Sequence, residues 1–144
     1  MGAVIGVFPL ILVPVLIYNL VAVFGSFSGD WAGVHELFNS GKALEFRMAS
    51  GAPWILTWGH VLLLIGLIML FVELLKSTST GTSAIFNHAL SMLVFIVCLI
   101  EFLLHPAFAT STFFLIMVMS LLDVLAGVIV TIVSARRDVE FDRQ

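Results

Sequence analysis

Six ionisable residues lie within, or at the ends of, long apolar stretches of this 144-residue chain. They are carboxylic acids and histidines, the residue types that bind metals, carry protons or pair with one another. A charge in hydrocarbon costs about 2.5–3.5 kcal/mol on insertion scales, so we expect these residues to face the protein interior, water or lipid headgroups. They are His60, Glu73, His88, Glu101, His105 and Asp123.

An outer group is predicted where His60, Glu101 and His105 lie near the outward ends of their helices, together with Tyr18 and Asn19. Two imidazoles and a carboxylate can bind zinc, copper or iron, and facing imidazoles can ligate haem. No HExxH or ExxH motif is present, so we expect a hydrogen bond between Glu101 and His60 and no cofactor. A transition-metal or haem site, and proton or quinone chemistry, remain alternatives.

Asp123 is expected near the middle of the membrane, level with Ser91. It also lies roughly level with the carbonyl of Leu10, which Pro14 deprives of its usual helical donor. Because hydrocarbon disfavours a charged carboxylate, we predict that Asp123 is protonated and donates to Ser91 or to this carbonyl. The expected role is a hydrogen bond that fixes helix register, and the alternative is a proton or ion relay.

An inner group of Glu73, Lys76 and His88 is predicted near the cytoplasmic headgroups. Lys76 follows Glu73 by three residues, a spacing that favours an ordinary interfacial ion pair on one helix. Counting along the helices from the turn between them places Glu73 level with His88, and His60 level with Glu101. Residues thirteen apart point about 140° away from each other, so only one of these pairs should be a direct contact.

Four apolar segments position these residues, and each is about 20 residues or longer, enough to cross a bilayer as a helix. Hydrophobic residues make up 61% of the chain and charged residues 10%, against about 45–50% and 25% in soluble domains. The first segment lacks a positive n-region and contains Pro9 and Pro14, so we interpret it as a retained helix, not a signal peptide. The segments are 3–25, 54–75, 84–104 and 111–134.

Polar and small residues recur every three, four or seven positions in the later segments, which places them on one helix face. Such a face is expected to pack inward while the apolar remainder meets lipid. The second segment carries Gly59, Gly66 and Glu73 at intervals of seven. The third carries Asn87, Ser91, Cys98, Glu101 and His105, and the fourth carries Ser120, Asp123, Gly127, Thr131 and Ser134.

The connection 26–53 is the one sizeable polar part of the chain. Asp30 is a plausible N-cap, and Trp31, Val34, Leu37 and Phe38 follow at helical spacing, which predicts a short amphipathic helix on the membrane. The stretch 44–48 alternates apolar and charged residues with the period of a strand. A surface loop is the expected form here, with a ribbon, a re-entrant piece or a docking edge as alternatives.

We therefore predict a single all-α domain, an up-down-up-down bundle of four transmembrane helices. The positive-inside rule places both termini, including the tail 135–144, in the cytoplasm, with the bacterial inner membrane as the expected location. A net charge of −3 without a basic cluster argues against nucleic acid as a partner, and the single cysteine, Cys98, allows no disulfide framework within one chain.

The expected function is a non-enzymatic accessory or scaffold component, with lipid and other membrane subunits or further copies as partners. The alternatives are a redox or metal-binding protein, and a proton-coupled transporter or channel subunit using Asp123.

Overall fold

The computed structural model describes residues 8–76 and 82–141, with side chains throughout except at positions 26, 27, 82–85, 131 and 134–141. Residues 3–7 of the first predicted segment, residues 77–81 between the second and third segments, and residues 142–144 of the predicted tail lie outside the described residues, as do residues 1 and 2. In chain order the elements are α1 (Leu12–Ser28), α2 (Trp31–Asn39), β1 (Lys42–Arg47), β2 (Pro53–Thr57), α3 (Trp58–Lys76), α4 (Thr82–Leu104), a short 3-10 helix (Pro106–Phe108) and α5 (Ser111–Phe141).

Three of these helices are long and apolar enough to cross a membrane. The qualifying stretches are all of α3, residues Phe86–Leu104 of α4 and residues Ser111–Val130 of α5. The apolar part of α1, Leu12–Gly25, is shorter. The protein is thus mostly helical and membrane-associated, as the composition predicts.

A two-stranded antiparallel sheet corrects the all-α prediction and the expectation of a surface loop. The pairing β1–β2 covers residues that the sequence divides between the connection and the second apolar segment, so α3 begins at Trp58 and not at residue 54. A short apolar run does not distinguish a strand from a helix by periodicity, which explains the error. Gly51, with φ of 84°, occupies the left-handed region in the turn between the strands.

The short amphipathic helix is confirmed as α2. The side chain of Asp30 caps it by accepting a 2.8 Å hydrogen bond from the Gly33 amide, and Val34 and Phe38 are buried. At the other end of the chain α5 continues as a helix to Phe141, so residues 135–141 of the predicted tail are helical.

Among the helices, packing is most extensive where α5 lies against α4 and α3, and α1 contacts all three. The predicted inward stripe of α3 is buried, and so are Asn87, Ser91 and Cys98 of the α4 stripe, whereas Glu101 and His105 are half-buried. Helix α1 adds a buried stripe of its own. Large apolar side chains on the opposite faces, such as Phe24, Phe71 and Leu103, are exposed. These stripes comprise Ile11 just before α1, Val15, Tyr18 and Ala22 on α1, Gly59, Leu62, Gly66, Leu70 and Glu73 on α3, and Asn87, Ser91, Val94 and Cys98 on α4.

Candidate functional site

Glu73 is fully buried at the end of α3 and receives hydrogen bonds from three directions. Its carboxylate accepts from the backbone amide of Leu10 at 2.9 Å, from Lys76 Nζ at 3.1 Å and from Asn87 Nδ2. Lys76 also donates to the carbonyl of Phe8 at 2.9 Å. The predicted Glu73–Lys76 ion pair therefore exists, but it is part of a network that joins α3, α4 and the residues before α1, and it is not a simple surface pair.

Asp123 is buried on α5 and accepts a 2.6 Å hydrogen bond from the hydroxyl of Ser91 on α4. This contact matches the level predicted by counting residues. The other predicted partner, the carbonyl of Leu10, instead accepts from the amide of Val13 at 3.0 Å. The prediction that Pro14 leaves this carbonyl free was wrong, because the first turn of α1 closes with a tighter i to i+3 bond.

Two buried polar atoms beside these networks have no hydrogen-bond partner within the described residues. They are Oδ1 of Asn87, whose amide nitrogen binds Glu73, and Nδ1 of His88. The His88 ring packs directly against Gly127, one turn after Asp123 on α5. His88 therefore lies at the α4–α5 interface. Asn87, the residue before His88, is the one that donates a hydrogen bond to Glu73 of α3.

Glu101, half-buried on α4, is hydrogen-bonded to α1 and not to His60. Asn19 Nδ2 donates to Glu101 Oε2 at 3.2 Å and to the carbonyl of Val15 at 3.1 Å. His105 interacts with Glu101 electrostatically. Two residues of the predicted outer group, Asn19 and Glu101, are therefore in contact. The Asn19 amide is the hydrogen-bond partner of Glu101, a position in which we expected the His60 imidazole.

Tyr18 lies at the centre of this end of the protein and is fully buried. Its hydroxyl is 2.7 Å from Thr110 Oγ1 and donates to the carbonyl of Ala107 at 3.0 Å, while its ring stacks on Phe38 at 4.3 Å. Thr110 also caps α5, since its hydroxyl accepts from the amide of Phe113. Tyr18 therefore ties α1 to α2 and to the start of α5.

The histidines at this end help to form its local structure. Because a proline disfavours helical geometry at the residue before it, α4 ends at Leu104, and His105 adopts an extended conformation and caps the following 3-10 helix. The His105 ring packs on Trp31 with centroids 4.9 Å apart. His35 of α2 makes a 2.8 Å hydrogen bond with the carbonyl of Pro106. Together these contacts fasten α2 over the α4–α5 turn.

His60 is exposed in the first turn of α3, where its Nδ1 lies 3.1 Å from both the amide and the hydroxyl of Thr57. It faces a cleft of about 290 Å³. The cleft is lined by Phe38, Asn39, Thr57, His60, Leu63, Ser111, Thr112 and Leu115. Within residues 8–76 and 82–141, no three His, Cys, Asp or Glu residues lie close enough to hold a metal ion, and this includes His60, Glu101 and His105.

Several of these contacts are not evident from the sequence. Thr110 has a recognisable signal, because a threonine directly before a predicted helix, here the segment 111–134, is a common N-cap. Asn87 was visible as part of the α4 stripe but not as a ligand of Glu73. His35 and the amide of Leu10 carry no sequence signal for the partners they bind.

Comparisons with protein-family models, with curated proteins and with solved structures find no match to this chain.

Proposed function

We propose that this protein is a four-helix transmembrane bundle that serves as a non-enzymatic accessory or scaffold component of a larger membrane assembly. In this arrangement α1 crosses the bilayer together with the three longer helices. Both termini lie in the cytoplasm of a bacterial inner membrane. Four of the six basic residues support this orientation, namely Lys76, Arg136, Arg137 and Arg143, against Lys42 and Arg47 on the other side.

The observation that carries the proposal is that each interior carboxylate is bound by a donor from another helix. Glu73 joins α3 to α4 and to the residues before α1, Glu101 joins α4 to α1, and Asp123 joins α5 to α4. Every long helix is therefore linked by at least one such hydrogen bond. Interhelical bonds of this kind hold a fixed helix arrangement, which suits a structural component.

The length of α5 supports a contact outside the membrane. Its 31 residues extend roughly 46 Å at about 1.5 Å per residue, whereas the hydrocarbon core is about 30 Å thick. The end of α5 therefore continues beyond the bilayer as a helix whose sequence mixes basic and acidic residues. We propose that a partner subunit binds this extension.

The first experiment isolates the protein from native membranes in mild detergent and measures particle mass, absorption spectrum and metal content. We expect a discrete species well above the 15.7 kDa monomer, with no Soret band and no stoichiometric metal. A variant ending at residue 134 should lose the partner but keep its thermal unfolding midpoint. A monomer, or haem at one per chain, would contradict the proposal.

A second candidate, proton transfer through Asp123, is favoured by the unpartnered Nδ1 of His88. Asp123 interacts electrostatically with His88 on α4 and with Glu73 and Lys76 on α3. Glu73 and Lys76 lie in the last turn of α3, and His88 lies near the start of α4. An acid and an imidazole placed in this way are the residue types of intramembrane proton relays.

A flux measurement in liposomes tests this candidate with two variants of Asp123. If protons cross through this acid, wild-type protein conducts them, and Asp123→Asn abolishes the flux although it keeps the hydrogen bond to Ser91. Asp123→Leu should abolish the flux and also destabilise the protein. Under the scaffold proposal, the Asn variant assembles normally and wild-type vesicles show no flux above empty ones.

A further inference from the structure

The β1–β2 hairpin has one apolar face, which its strand register defines. Leu44 pairs with Leu56, and Phe46 pairs with Trp54. Directly paired residues in an antiparallel sheet share a face, so these four side chains lie together. The amide of Met48 donates to the carbonyl of Ala52 at 2.9 Å and extends the same register, which adds Met48 to this face.

The opposite face carries the charges of the hairpin. Glu45 and Arg47 alternate with the apolar residues of β1 and pair with Ile55 and Pro53 of β2. Glu45 also forms a 3.2 Å ion pair with Lys42, in which both side chains are more than half exposed. The hairpin is therefore amphipathic, with large apolar side chains on one face and Glu45 and Arg47 on the other.

The apolar face is open over most of its length. Leu44, Phe46, Met48 and Trp54 are each about half exposed, and the rings of Phe46 and Trp54 lie 6.1 Å apart. Four large apolar side chains in one exposed cluster are more than the scattered surface residues that soluble proteins show. Transfer of these four side chains from water to an apolar environment would be favourable.

The base of the hairpin holds it at the start of a membrane-capable helix. Strand β2 ends at Thr57 and α3 begins at Trp58, with no residue between them. The amide of Trp58 donates to the carbonyl of Gly41 at 3.0 Å, and the hydroxyl of Thr57 donates to the carbonyl of Phe38 at 3.1 Å. The hairpin is thus fixed to the start of α3, where the side chain of Trp58 is also exposed.

We propose that the apolar face of the hairpin lies in the interfacial layer of the same bilayer, where lipid headgroups meet acyl chains. Tryptophan favours this layer, and Trp54 lies at the centre of the face. The outer edges of a two-stranded ribbon leave backbone groups unpaired, which prevents entry into the hydrocarbon core and sets an interfacial depth. The Glu45 and Arg47 face is then left to water, as in other amphipathic elements on membranes.

Fluorescence quenching in reconstituted vesicles tests this placement. The reporter protein keeps Trp54 and carries Trp31→Phe and Trp58→Phe. We expect lipids brominated near the headgroup to quench Trp54 at least roughly twofold more than lipids brominated near the chain end, and aqueous iodide to quench it weakly. The matched control moves the reporter to the charged face by adding Trp54→Phe and Ile55→Trp, which should reverse the preference toward iodide.

A second measurement does not alter the tryptophans. Nitroxide labels at Met48→Cys and Arg47→Cys, adjacent residues on opposite faces, report oxygen and nickel accessibility. We expect oxygen to favour position 48 and nickel to favour position 47.

Two results of the fluorescence experiment would overturn the proposal. One is equal iodide quenching of the two tryptophan reporters. The other is protection of Trp54 from both iodide and bromolipid, which would mean that protein covers the face.

Discussion

Glu73→Leu is expected to lower the free energy of unfolding by about 3 kcal/mol. Removing one partner of a buried ion pair typically costs about 3–5 kcal/mol, because the other charge remains without compensation. Here Lys76 is 21% exposed and can shift toward headgroups, which favours the lower end of that range. The side-chain amide of Asn87 and the backbone amide of Leu10 cannot shift toward the headgroups in this way, and each loses its hydrogen-bond acceptor.

Unfolding in mixed micelles, followed by tryptophan fluorescence, measures this loss. Glu73→Gln should fall between wild type and Glu73→Leu, since it keeps an acceptor but no charge. Glu45→Gln breaks the exposed Lys42–Glu45 pair and should change the free energy by less than about 0.5 kcal/mol. Glu73→Leu combined with Lys76→Met should recover part of the loss. Equal stability of the Glu73→Leu and Glu45→Gln proteins would contradict the structural role.

Hydrophobic periodicity predicts the helical parts of this fold because burial follows a single face over many turns. The α4 stripe at Asn87, Ser91 and Cys98 is buried as expected, and the Ser91–Asp123 hydrogen bond follows from counting depth along antiparallel helices. Local chemistry was equally informative where one residue decides the outcome. Asp30 caps α2, and Pro106 ends α4.

The remaining contacts depend on helix rotation and on neighbours far apart in sequence. Glu101 is level with several polar groups, and only the packing of α1 against α4 selects Asn19 over His60. The apolar residues 54–56 are compatible with a strand and with a helix equally well, so the hairpin can be identified only once its partner strand is known. The amide of Leu10 binds Glu73 across 63 residues, a contact to which no local pattern points.

We expect alanine substitutions at the two glycines of the α3 stripe, Gly59 and Gly66, to affect stability differently. A methyl group at Gly59 would overlap the backbone carbonyl of Phe38 and the hydroxyl of Thr112. Backbone atoms cannot rotate away, so α2 would have to move and weaken the Thr57 hydrogen bond to the same carbonyl. We expect Gly59→Ala to cost about 1–3 kcal/mol, as overpacking usually does.

Gly66 is the matched control on the same helix, seven residues later. The nearest atom to a methyl group there is Met119 Sδ at 3.1 Å, followed by Pro14 Cγ at 3.7 Å. A methionine side chain can adjust, and alanine favours a helix over glycine by about 0.8–1.0 kcal/mol. Gly66→Ala should therefore remain within about 1 kcal/mol of wild type in the same unfolding assay. Equal losses at both glycines would mean that α2 and α5 do not approach α3 at Gly59 as closely as the Phe38 and Thr112 contacts require.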